Sequence, residues 1–301
     1  MRRVLVTGAG GQLAIELERW APEGCEVVSL GADRLDITSA AQVDSAFAAV
    51  RPEVVFNAAA FTAVDLAETE ERAADRVNHR GVELLRSACD GHGARLVQVS
   101  TDYVFDGLSA RPYLPGDETN PLSAYGRTKR DGEIAALRSP GSLVVRTAWL
   151  YGANGRNFMR TMIRLMQERD EVRVVADQVG TPTSAPGLAR ALWALAGRGA
   201  TGMHHWTDAG VASWYDFAVA IREEAAAIGL ATARARVVPI RTSEFPTPAR
   251  RPSMGVLSKD ATWGMLGSPA PHWREALREV LSEFASVSLS PAEFAAGSFR
   301  G

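Results

Sequence analysis

The run Arg3-Val4-Leu5-Val6-Thr7-Gly8-Ala9-Gly10-Gly11-Gln12-Leu13-Ala14 passes from a short β-branched strand through a glycine turn into a helical segment. That order is what a dinucleotide-binding loop needs. Glycines permit the tight turn and let the backbone approach a pyrophosphate, whose charge then faces a helix N-terminus. The spacing is Gly8-x-x-Gly11-x-x-Ala14, with alanine where many such loops carry a third glycine. An ordinary strand-to-helix turn would use the same glycines, so the motif takes its weight from the rest of the chain.

Downstream of the turn the chain alternates. Apolar, β-prone runs at residues 26–30, 53–57, 95–100 and 142–149 are separated by helical patterns up to residue 50, over residues 68–89 and over residues 123–137. Asp36 and Ser39 are N-cap candidates for the helix that runs to residue 50. Repeated βα units imply a parallel sheet with helices on both faces and right-handed crossovers. The fold class expected is α/β, a Rossmann-type doubly wound parallel sheet with a smaller C-terminal substrate-binding domain.

Beyond Tyr151 the rhythm loosens. Helices are expected at residues 157–167, near 186–196, from Ser213, and near 272–284, with strand-like runs at 172–176, 202–206 and 237–240. The last residues, 286–301, are small and polar and read as a fraying end. The division expected is a cofactor domain over 1–151, with 170–207 returning to it. Residues 152–169 and 208–301 then form the smaller domain.

Composition removes other classes. The 301 residues carry 33 basic and 35 acidic side chains, a formal charge of -2, so no electrostatic footprint points to nucleic acid or an anionic membrane. No apolar run approaches the roughly 18–20 residues that span a bilayer. The first residues lack an apolar h-region with a cleavage site. The two cysteines, Cys25 and Cys89, form neither a disulfide framework nor a metal spacing, so no metal site is expected. A soluble, cytoplasmic protein is expected.

The chemistry is carried by two further motifs. Ser100-Thr101-Asp102-Tyr103 ends a strand-like run, at the sheet edge where open α/β folds bind ligands. Tyr125-Gly126-Arg127-Thr128-Lys129 lies in a helical segment, and its tyrosine and lysine share one face at i and i+4. A free phenol has a pKa near 10, about three units too high for proton exchange at neutral pH. A neighbouring ammonium is expected to lower it, while a serine or threonine hydroxyl orients a carbonyl. These are the parts for hydride addition to a ketone. Lysine is itself rare here: of the 33 basic residues only Lys129 and Lys259 are lysines. A compact ammonium at residue 129 is what such chemistry asks for, although Lys259 shows that lysine also occurs without evident cause.

These residues resemble the extended short-chain dehydrogenase/reductases, and among them the dTDP-4-dehydrorhamnose reductase family. The resemblance runs to about residue 284 and rests on residues 8–13, 57–65, 100–105, 121–129, 146–149, 157–158, 177–183 and 246–252. It implies Tyr125 as proton donor, Lys129 as its partner on the nicotinamide ribose, and Thr101 as the hydroxyl on the substrate carbonyl. It implies a cofactor groove of Gly8, Gly10, Gly11, Gln12, Leu13, Asp36, Ile37, Ala60, Phe61 and Thr62, closed by Tyr125 and Lys129. Thr101, Asp102, Tyr103, Trp149 and Arg251 are implied as substrate contacts.

The cofactor implied is NADPH, with NADH as the alternative. Gly31 stands where some relatives carry an aspartate, and Arg34 lies shortly after it. The partner implied is a dTDP-linked 4-keto-6-deoxyhexose, and a homodimer is left open. Residues 253–257 depart from the family, which usually has an Asn-Ser pair near Met254-Gly255. A reductase for another dTDP-keto-deoxysugar is the near alternative. A dinucleotide-binding regulatory subunit resembling that of methionine adenosyltransferase is the distant one, and it has no need of the Thr101, Tyr125 and Lys129 set.

His204 and His205 sit in an apolar run and read as packing residues. Trp193, Trp206, Trp214 and Trp263 read as core or domain-interface aromatics. Glu68, Glu70 and Glu71 read as a solvated helix face.

Overall fold

The computed structural model describes residues 1–230 and 234–288. Most of the stretch read as a fraying end, residues 289–301, lies outside the described residues, and 286–288 close the last helix.

The first half alternates as the pattern demands: β1 (Arg3–Thr7), α1 (Gln12–Arg19), β2 (Glu26–Leu30), α2 (Ala40–Val50) and β3 (Val54–Asn57). The next helical stretch is broken. It consists of the short α3 (Val64–Ala67) and α4 (Glu71–Asp75), a π turn at Arg76–Arg80, and α5 (Gly81–His92). Then come β4 (Arg95–Thr101), a 3-10 turn at Asp102–Val104, α6 (Ala124–Leu137) and β5 (Leu143–Thr147). Serine side chains set two helix starts: Ser39 accepts from the Gln42 amide and Ser123 from the Gly126 amide.

The second half holds β6 (Leu150–Tyr151), α7 (Phe158–Glu168), β7 (Glu171–Val175), β8 (Val179–Gly180), β9 (Thr183–Ser184), α8 (Ala185–Gly197) and β10 (Gly202–His205). It ends with β11 (Ala212–Ser213), α9 (Trp214–Ala227), β12 (Arg236–Ile240), α10 (Asp260–Leu266) and α11 (Trp273–Ser288).

Six strands form one parallel sheet in the order β10-β5-β4-β3-β1-β2. One face buries Val4, Val6, Phe56, Val97 and Val145 under α1 and α8. The other buries Leu5, Val55, Leu96 and Val144 under α2, α5 and α6. This is the doubly wound fold. The chain reverses direction across the sheet between β1 and β3, the crevice where such sheets bind ligands.

The expected return of residues 170–207 divides in two. Helix α8 and β10 join the large sheet, whereas β7 pairs in parallel with β12. Val172 and Val174 bury instead against Met162, Phe217 and Ile221, the core of the smaller domain. A hydrophobic strand goes where its apolar alternate face is covered, and α7 and α9 supply that cover.

Candidate active site

The glycine turn is built for close approach. Gly8 and Gly10 have φ of +77° and +81°, a region that penalises any side chain. A β-carbon on Gly8 would also stand 2.9 Å from the Ala59 amide nitrogen, so the turn nests against the loop after β3. Gly11 starts α1 without a side-chain cap, which leaves the first-turn amides of Gln12 and Leu13 free for an anion. This uncapped cradle fits the diphosphate of a dinucleotide. The Gln12 side chain faces the other way, donating to the Leu150 carbonyl at 3.3 Å and accepting from Asn157 at 3.3 Å.

Of the residues implied for the adenine side, Asp36 folds its carboxylate onto the Thr38 amide and hydroxyl, at 2.9 and 2.8 Å. Ile37 is buried, its side chain packed close to Gly81. Gly31 lies beside the Ala9 carbonyl, and a side chain grown there would start 2.7 Å from an Asp33 carboxylate oxygen. Arg34 is exposed next to it.

The loop of Ala60, Phe61 and Thr62 is pinned by a residue absent from the expectations. Buried Asn78, in the π turn, accepts from the Phe61 amide at 2.9 Å and donates to the Phe61 carbonyl at 3.1 Å. The π turn brings the Asn78 backbone against Gly132 of α6, where a β-carbon would collide with it. The sequence pattern shows only a charged helix here, because the bulge comes from packing between helices that are distant in the chain.

Thr101, Tyr125 and Lys129 converge at the C-terminal end of β4. The Thr101 oxygen accepts from the Tyr103 amide at 3.2 Å, and its hydroxyl donates to Asp102 at 3.1 Å. The Tyr125 ring meets Tyr103 edge-on at 5.5 Å. Lys129 is 5% exposed and donates to the Val99 carbonyl at 2.7 Å.

The expected lowering of the Tyr125 phenol is reversed. Burial pushes it well above its ordinary value, and the hydroxyl of Thr101 opposes that only in part. Lys129 is no counterweight, because burial drives its own pKa down to about 8. Desolvation outweighs the helix-face pairing on which the expectation rested.

On the far side of Thr101 a narrow cleft opens between the two domains. Asp102, Tyr103, Trp149 and Arg251 line it, joined by Gln178, Val179, Trp214 and Gly255. Burial raises the Asp102 carboxyl to about 7. Arg251 is already engaged: its guanidinium grips both oxygens of Asp65, at 3.0 and 2.8 Å. Trp214, read as a plain interface aromatic, is part of the cleft wall. No sequence signal marked it, since its role depends on Trp149 reaching across from the end of β5.

His204 and His205 are buried in β10, and burial takes the His205 imidazole down to about 3, so it stays neutral. Asp75, His79 and Asp131 gather three possible ligand atoms between α4, the π turn and α6, with Asp75 already bonded to the His79 Nδ1 at 2.8 Å. Among the described residues no helix is long and apolar enough to cross a membrane.

The profile of the family described as "RmlD substrate binding domain" matches residues 1–286. A dTDP-4-dehydrorhamnose reductase of Burkholderia thailandensis is 42% identical over 297 residues, covering 93% of this chain and 100% of the relative. A probable dTDP-4,6-dihydroxy-2-methyloxan-3-one 4-ketoreductase of Streptomyces antibioticus is 44% identical over 294 residues, covering 96% and 98%. The crystal structure of a Bacillus anthracis dTDP-4-dehydrorhamnose reductase in complex with NADP superimposes with a TM-score of 0.89. It is 34% identical and covers 94% of this chain and 100% of that one.

Proposed function

Since this chain belongs to the dTDP-4-dehydrorhamnose reductase family, we propose that it reduces the C4 ketone of dTDP-4-dehydro-L-rhamnose to give dTDP-L-rhamnose, with NADPH as hydride donor. The observation that carries this reading is the convergence of Thr101, Tyr125 and Lys129 between an uncapped glycine cradle and an aromatic-walled cleft.

When bound, the reduced nicotinamide supplies the hydride that adds to C4. The chain supplies the rest. Gly8, Gly10, Gly11, Gln12 and Leu13 hold the diphosphate through backbone amides. Asp36, Ile37, Ala60, Phe61 and Thr62 line the remainder of the groove. Tyr125 gives its phenolic proton to the C4 oxygen as the carbonyl becomes an alcohol, and the Thr101 hydroxyl holds that oxygen in place. A raised phenol pKa suits this direction, since the group stays protonated until the alkoxide forms. Lys129 binds the ribose. Asp102, Tyr103 and Trp149 contact the sugar nucleotide, and Arg251 shapes the cleft through its grip on Asp65.

A second reading has its own support. The Streptomyces antibioticus relative is named for a different dTDP-sugar, and Gly255 lies so near Asp102 in the cleft that a β-carbon there would collide with its carboxylate. That loop departs from the family pattern, so the sugar it admits can differ. The test is NADPH oxidation against a panel of dTDP-keto sugars, with product stereochemistry read by NMR. Turnover restricted to a sugar other than dTDP-4-dehydrorhamnose would favour the second reading, and no turnover with any would sink both.

A further inference from the structure

One helical turn beyond Lys129, on the same buried face of α6, stands Glu133, 2% exposed. Four residues of helix carry side chains about 6 Å along the axis and into neighbouring positions. Arg146 of β5, 3% exposed, clamps both Glu133 oxygens, Nε to Oε1 and Nη2 to Oε2, each at 2.8 Å. The guanidinium is held from three more sides. It lies over the Phe105 ring at 4.8 Å, donates to the Pro115 carbonyl at 3.2 Å, and sits 3.4 Å from the His205 Nε2. Phe105 and Pro115 belong to the loop that leaves Thr101, and Arg146 lies on the strand that leads to Trp149.

A buried ion pair is a poor stabiliser, because desolvating both charges cancels much of their attraction. Its position suggests another use. We propose that Glu133, clamped by Arg146, is a positioning residue for Lys129, keeping that amine charged and seated at the reaction centre.

The other charges around α6 are accounted for. On the helix itself Tyr125 is protonated, Arg127 pairs with Glu71 and Arg130 with Asp131, and on the 3-10 turn burial raises both Asp102 and Tyr103 toward their neutral forms. His205 is neutral. The carboxylates of α3, α4 and α5 pair with arginines, Asp65 with Arg251, Glu71 with Arg127, Asp75 and Glu83 with Arg80, and Asp90 with Arg86, while Glu68 just beyond α3 accepts from the Ala124 amide that opens α6. From β4 Lys129 meets a backbone carbonyl, at Val99. Among the described residues, Glu133 is the one carboxylate whose field acts on the buried amine, and it opposes the fall that burial imposes. Arg146, bonded to both carboxylate oxygens, fixes Glu133 in the place from which it does so.

The inference rests on the reductase reading for its purpose, yet its test does not need activity. The chain has two lysines, so lysine labelled with 13C at Cε gives two resonances, assigned with Lys259→Arg. In the cofactor-free protein the Lys129 resonance should titrate near pH 8. Glu133→Gln keeps a hydrogen-bonding partner for Arg146 but removes the charge, and should move that midpoint down by about one unit or more. The alkaline limb of kcat/KM should move with it. A folded Gln variant with an unmoved midpoint overturns the proposal. Should Glu133→Gln not fold, the double variant Glu133→Leu with Arg146→Met removes both charges and fills the space. Its midpoint should also fall below that of the parent, and a parental midpoint overturns the proposal. Failure of both to fold would confine the pair to folding and overturn it equally. A shifted midpoint in a chain that reduces no sugar would instead sink the reductase reading alone.

Discussion

The indoles of Trp149 and Trp214 stack face to face, with centroids 3.6 Å apart and planes within 8°. Trp149 reaches this position from a backbone φ of +48°, rare for a bulky residue, at the end of the last core strand before the smaller domain. Gly180 makes room for it, since a β-carbon there would stand 2.7 Å from the indole. The stack joins the two domains across the cleft. Trp214→Ala should raise KM for the sugar nucleotide by roughly two- to tenfold, the worth of an aromatic pair, and leave cofactor affinity unchanged. Gly180→Ala should do the same by displacing the ring. Steady-state KM for both substrates checks this, and a rise confined to cofactor KM would contradict it.

Tyr125→Phe removes the proposed proton donor while keeping the ring against Tyr103. Turnover should fall by about 10²–10⁴, the range of general acid contributions. Cofactor affinity, measured by fluorescence quenching, should stay close to that of the parent. Turnover at the parental rate would reassign the proton donor.

Lys129→Arg looks conservative in a chain so rich in arginine. The amine is buried against the Val99 carbonyl, where a planar guanidinium needs more room. Overpacking should cost about 1–3 kcal/mol of stability and kcat/KM should fall by roughly ten- to a thousandfold. A thermal melt beside steady-state kinetics separates the two effects.

Four buried groups make stability depend on pH, two of each sign. Asp102 is raised to about 7 from the ordinary 3.8, so the folded chain holds a proton that the unfolded chain has lost. Its stabilising contribution is full below about pH 4 and disappears as pH rises through about 7. Asp208, raised to about 7 by burial, adds a second drop of the same sign. Lys129 is lowered to about 8 from 10.5, so its contribution is present above 10.5 and is lost as pH falls through 8. His205, lowered by burial to about 3 from 6.5, opposes the carboxyls, its contribution being full above 6.5 and lost as pH falls through 3. With two carboxyls against it, urea unfolding at about pH 5 and about pH 7.5 should still show lower stability at the higher pH. Asp102→Asn should shrink that difference without abolishing it, and an unchanged difference would remove Asp102 from the balance.

Asp33 as well as Gly31 should govern the choice between NADPH and NADH. The Asp33 carboxylate already stands over the position where a Gly31 side chain would begin, with Arg34 exposed beside it. Asp33→Ala should shift the NADPH-to-NADH ratio of kcat/KM toward NADPH, by removing repulsion of the 2′-phosphate. Gly31→Asp should shift it toward NADH, once Asp33 is displaced. A ratio that neither variant moves would place the 2′ recognition elsewhere.

Features that depend on local period and backbone freedom were legible before any folding. Alternating apolar runs settled the parallel sheet, because a strand buried on both faces must be continuously apolar. Gly8, Gly10 and Gly11 marked the cradle, because a left-handed turn against another loop excludes side chains. Tyr125 and Lys129 stood out because a helix brings i and i+4 onto one face whatever surrounds it.

The remainder required the folded chain. Burial depends on what packs from elsewhere in the molecule, and it reversed the expected shift of the Tyr125 phenol. The pairing of β7 with β12 depended on cover from α7 and α9, which no strand pattern encodes. Asn78, Trp214, and the Glu133–Arg146 clamp join residues brought together by the fold. Their side chains are ordinary in sequence and acquire meaning from desolvation and distance, quantities that exist only once the chain has closed on itself.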